Sequence, residues 1–71
     1  MDYKVGDVIE HWSFGLQSAM RIVKVTERDA AVKNGRSGFS GHVVSSNPER
    51  HGMPVWGYDS EVKRVLLGGA Q

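Results

Sequence analysis

The sequence predicts an all-β fold in which five short strands close into a small barrel. Three observations predict it. Residues of high β-propensity come in short runs separated by Gly, Asn and Pro, the apolar residues within those runs recur with period two, and no segment sustains a helical period. The single helix-friendly stretch, residues 29 to 33, is stopped by Asn34-Gly35 before it completes two turns.

Seventy-one residues without an internal repeat make one domain, read as residues 1–67, with 68–71 as a disordered tail. The chain is 39% apolar and has no cysteine, so neither a disulfide nor a thiolate zinc site supplements burial worth about 25 cal/mol per Å². Absence of cysteine also favours a reducing, intracellular setting. Nine Lys and Arg against eight Asp and Glu leave a formal charge of +1, interspersed in sign. No basic run marks a duplex-DNA face. No apolar run approaches the roughly 18 residues of a membrane span, and Met1-Asp2-Tyr3-Lys4 does not open a signal peptide. The expectation is a soluble, cytoplasmic protein.

The strands follow in order. Val5-Gly6-Asp7 makes a turn, and residues 8 to 12 form strand one, with either Ile9 and His11 or Val8 and Trp12 facing inward. Residues 13 to 19 form a loop around Gly15. Residues 20 to 28 are the longest β-prone run, and adjacent Ile22 and Val23 break its alternation, which suits a bend or bulge in a closed barrel. Residues 29 to 40 read as a long glycine-rich loop with a tight turn at Asn34-Gly35. Strand three covers residues 41 to 45. Strand four covers 53 to 58, and Pro54 places it at a sheet edge. Asp59-Ser60-Glu61 reads as a 3₁₀ turn capped by Asp59, and residues 62 to 66 form strand five, with Val62 and Val65 toward the core.

A long first loop, tight later turns and one 3₁₀ turn before the last strand describe an SH3-like barrel. The segment GDVIEHWSFG, through Gly6, Asp7, Ile9, His11, Phe14 and Gly15, resembles the opening of Tudor-like and KOW-like bacterial domains. These include the polymerase-interacting domain of CarD-type regulators and the C-terminal domain of UvrD-type helicases. The resemblance implies an SH3-like fold and a partner in the transcription machinery, although this chain inserts Leu16-Gln17-Ser18-Ala19 before strand two. The second half, VKNGRSGFSG followed by VWGYDSEVKRV, is similar to small proteins of actinobacteria and their phages, which implies a bacterial or phage source.

Catalytic chemistry has no pattern here. His11, His42 and His51 form no pair at metal-ligand spacing, and a G-x-S-x-G elbow is absent. Asp7, Asp29 and Asp59 each have a turn or cap role, so paired-carboxylate catalysis is unsupported. No enzyme activity and no cofactor is expected. Six aromatic residues, Tyr3, Trp12, Phe14, Phe39, Trp56 and Tyr58, exceed what so small a barrel encloses, so some must be exposed. Exposed rings beside arginine are the usual composition of a protein-binding surface. The expected partner-binding set is Trp12, Phe14, Lys33, Arg36, Phe39, Trp56 and Tyr58. Phe39 is read two ways, as a plug at the barrel end or as a stacking ring. The expected partner is another protein. Nucleic-acid binding through Lys33, Arg36, Arg21, Lys24 and Arg28 is the alternative, and self-association through an exposed strand edge or aromatic patch is the third reading.

Overall fold

The computed structural model describes residues 2–68, without the side chains of residues 32 and 33. Five antiparallel strands form one open sheet: β1 (Val8–His11), β2 (Ile22–Lys33), β3 (Arg36–Val43), β4 (Pro54–Tyr58) and β5 (Val62–Leu67). Their spatial order is β4-β3-β2-β1-β5. Two 3₁₀ turns interrupt the connections, η1 (Ser18–Met20) and η2 (Asp59–Glu61), the second standing where the sequence placed it. Pro54 lies on edge strand β4, as expected of a residue with no N–H to give a neighbour. No helix among the described residues is long and apolar enough to cross a membrane.

Residues 29 to 40 are not a glycine-rich loop, and this corrects the sequence reading. They are the far half of a long β2–β3 hairpin closed by Asn34 (φ 55°) and Gly35 (φ 71°). Positive φ at both central residues gives a turn whose twist matches that of the flanking strands, so it propagates pairing into residues of weak β-propensity. Gly41, expected at the start of strand three, lies inside β3 where strands meet closely. A Cβ there would lie 2.2 Å from the Lys24 carbonyl oxygen and 2.8 Å from Val23.

Register settles the phase of β1. Ile9 stands opposite Val23 and Val65, and Ile9 and His11 are buried while Glu10 turns outward to pair with Arg64. The expected irregularity in β2 falls at Thr26, skipped between the pairs Val25↔Gly41 and Glu27↔Ser40. Val23 and Val25 therefore face the core, and beyond the bulge Arg28 shares a face with Phe39, its register partner. The core comprises Tyr3, Ile9, Val23, Val25, Phe39 and Val62, with Val55 packed against it.

Two further expectations are corrected. Val65 is exposed although it stands opposite Ile9, because β5 is an edge strand with no neighbour on its far side. Asp59 does not cap η2; the Glu61 carboxylate instead accepts the Tyr58 N–H at 3.0 Å. Of the expected tail, residues 69–71 lie outside the described residues.

Candidate functional site

The outer face of β3 and β4 carries the densest group of exposed rings. Side chains two apart on a strand share a face, so Trp56 and Tyr58 stand together with centroids 5.4 Å apart and planes at 85°. Arg36, at the start of β3, lays its guanidinium 4.0 Å from the Tyr58 centroid and donates from Nη2 to Ser60 Oγ at 2.9 Å. Asn34 Nδ2 donates to the Tyr58 hydroxyl at 3.3 Å. Hairpin turn, η2 and guanidinium thus hold one tyrosine ring, and Trp56 leans edge-on beside it, 45% exposed.

The strands supply a floor of small residues beside these rings. Ser40 stands opposite Trp56, Gly38 opposite Tyr58, and Glu27 and Asp29 follow on β2. An open groove of about 390 Å³ runs along this face between Thr26, Ser40, Gly41, His42, Pro54, Val55 and Trp56.

The first loop presents a second group. Leu16 N–H donates to Ser13 O at 3.0 Å across a turn whose Gly15 has φ 83°, and Phe14 stands at its tip, 96% exposed. Trp12 is 42% exposed, and its N–H donates to Glu61 O at 3.0 Å. Glu61 therefore joins the backbone of Trp12 to that of Tyr58. Next to Phe14, Leu16, Met20, Arg50 and Met53 help line a groove of about 340 Å³.

Phe39 belongs to neither group. It is 0% exposed, with Tyr3 edge-on at 5.9 Å and His11 edge-on at 5.2 Å, so its expected place on a binding surface is corrected to the core. Gly57, opposite it on β4, leaves the room its ring needs: a Cβ there would stand 2.8 Å from Phe39 Cζ. The Lys33 side chain lies outside the described residues; its backbone pairs with Arg36.

The remaining cations do not gather on one face. Lys24 is exposed opposite His42 on the outer side. Arg28 stands over the Tyr3 ring, 3.9 Å from its centroid, and donates to Tyr3 O and to both Asp59 oxygens at 3.2 Å. Arg21 is half-buried.

Arg28, Tyr3, Ser37 and Asp59 form a polar clasp at one end of the sheet. Tyr3 OH and Ser37 Oγ both donate to the Asp59 carboxylate. Burial alone would raise the Asp59 pKa, but the bonds from Ser37 and Tyr3 and the Arg28 charge outweigh it and hold the carboxyl below the usual range. Burial, then Asp59, pushes the Tyr3 hydroxyl far above its ordinary value. The serine proton goes to an acceptor of weakened basicity, which makes Ser37 a brace for Asp59. Among the described residues no group of three His, Asp or Glu could hold a metal ion.

Sequence reasoning missed the supports: Asn34 and Ser60 around Tyr58, and the clasp tying Tyr3 to residues 25, 34 and 56 positions away. The i, i+2 spacing of Trp56 and Tyr58 within a strand was the available signal for the ring pair. Nothing local marked the long-range partners. Comparison with protein-family models, with curated proteins and with solved structures finds no match to this chain.

Proposed function

We propose that this chain is a non-catalytic SH3-like module that binds another protein through the outer face of β3 and β4. Strand order β4-β3-β2-β1-β5, with a 3₁₀ turn directly before the last strand, supports the SH3-like reading. The observation that carries the function is the row Arg36, Tyr58, Trp56: two rings and a guanidinium held in fixed geometry at the surface beside an open groove. Pre-organised aromatic and arginine anchors bind at little further cost in side-chain entropy. Trp12 and Phe14 supply a second contact. The resemblance of the first strand to transcription-associated domains makes bacterial RNA polymerase the first partner to try, in a cytoplasmic setting.

Acidic Glu27 and Asp29 flank the ring row, and the basic residues are divided between faces, which favours a protein over a nucleic-acid backbone. The test is titration of immobilised bacterial RNA polymerase with the purified chain and with Trp56→Ala, Tyr58→Ala and Phe14→Ala. Trp56→Ala should weaken binding by about thirtyfold, the range of an interface anchor worth about 2 kcal/mol. Equal affinity of the parent and all three variants would overturn the assignment. Oligonucleotide binding that falls steeply with salt would transfer it to the nucleic-acid reading, and concentration-dependent mass lost in Trp56→Ala would transfer it to self-association.

A further inference from the structure

The first loop is tied to the fold at His11 and by the Trp12 N–H, which donates to Glu61 O. His11 closes β1, and its backbone N–H donates to Arg21 O at 2.9 Å. Its imidazole Nε2 lies 3.0 Å from Met20 O. A carbonyl only accepts, so Nε2 carries the proton and Nδ1 is the bare nitrogen of a neutral ring. Both ends of the excursion from residue 12 to residue 20 are thus gathered at His11. The loop's other backbone bonds among the described residues are short-range turns, Leu16 to Ser13, Met20 to Gln17 and Arg21 to Ser18, together with the Trp12 N–H to Glu61 O.

The ring that does this fastening is 1% exposed, and its Nδ1 has no hydrogen-bond partner among the described residues. Its surroundings do not welcome a positive charge. Phe39 packs edge-on from β3, and Val62 stands opposite on β5. Glu61 in η2 is a charge that favours the protonated ring, but its pull is smaller than the opposing effect of burial.

We infer that His11 is a proton-operated buckle: neutral, it locks the first loop onto the sheet, and protonated, it leaves its pocket and releases residues 12 to 20 with Trp12 and Phe14. A second N–H in that pocket finds no acceptor, and an imidazolium meets the apolar wall of Phe39 and Val62. When the ring withdraws, Met20 O loses its donor. Burial, offset in part by the Met20 bond and by Glu61, lowers the folded-state pKa below 6.5. The stabilisation is therefore complete above 6.5 and is lost as pH falls from there toward the lowered folded value. Across that window the open population rises about tenfold per pH unit.

Amide hydrogen exchange between pH 5 and 8, corrected for intrinsic rates, tests this without any ligand and so independently of the proposed binding function. Protection of residues 12 to 20 should fall about tenfold per unit below pH 6.5 while that of β2 and β3 holds. His51→Gln should behave as the parent, although His51 Nδ1 accepts the Ser45 N–H elsewhere. His11→Gln, which keeps a donor for Met20 O and cannot be charged, should be flat. Should that variant not fold, ¹⁵N NMR of the parent's imidazole reads the same property, with the Nε2–H tautomer at neutral pH and a midpoint below 6.5. An ordinary His11 midpoint, a loss spread evenly over all strands, or pH dependence surviving in His11→Gln would overturn the inference.

Discussion

Gly41 and Phe39 show how much a single position decides in a chain this small. A methyl at Gly41 would meet a backbone carbonyl, which cannot move without breaking the β2–β3 pairing. At Gly57 the methyl would meet a side chain, the Phe39 ring, at 2.8 Å rather than backbone at 2.2 Å. Gly41→Ala should therefore cost about 3 kcal/mol in chemical denaturation and Gly57→Ala distinctly less. Phe39→Ala removes the largest fully buried side chain and should cost about 3–5 kcal/mol, comparable to the whole stability of a small domain, so circular dichroism should find it largely unfolded. Phe14→Ala should leave the stability within about 0.5 kcal/mol of the parent, because its ring is almost wholly at the surface.

At the scale of elements, the β2–β3 hairpin and the polar clasp carry the organisation. Asn34 holds a left-handed conformation that a β-branched residue resists, so Asn34→Val should cost about 1–2 kcal/mol where Asn34→Gly is nearly neutral, read from the urea midpoint. The clasp ties the lead-in at Tyr3 to β2 through Arg28, to β3 through Ser37 and to η2 through Asp59. Because the folded Asp59 carboxyl lies below its ordinary value of 3.8, its contribution is complete above that pH and is lost as pH falls through the folded value. Asp59→Asn should thus be less stable than the parent at pH 7, and the gap should close toward pH 2. A constant gap across that range would show that the carboxylate charge plays no part.

At the scale of the molecule, the sheet is open and its two edges are treated differently. The β4 edge has Pro54, which lacks an N–H, and Tyr58, whose N–H is taken by Glu61; β5 has irregular register and basic Lys63 and Arg64. Such edges discourage uncontrolled strand pairing. Strand number, the Asn34-Gly35 turn, the edge position of Pro54 and the η2 turn were all legible in the sequence, since period-two alternation and turn chemistry act over a few residues. The surplus of rings over core space was legible too, because it follows from counting. What tertiary structure alone decided was which rings are surplus. Phe39, in a run of weak β-propensity, and Trp56, in a β-prone one, both end up in strands, yet the Thr26 bulge and the register across Gly41 and Gly57 send the first inward and leave the second at the surface. The same holds for His11, whose tautomer depends on a carbonyl nine residues away, and for Tyr3, which meets Asp59 across 56 residues. Local sequence sets propensity and period, but burial and hydrogen-bond partners arise where distant strands meet, and only their packing assigns those.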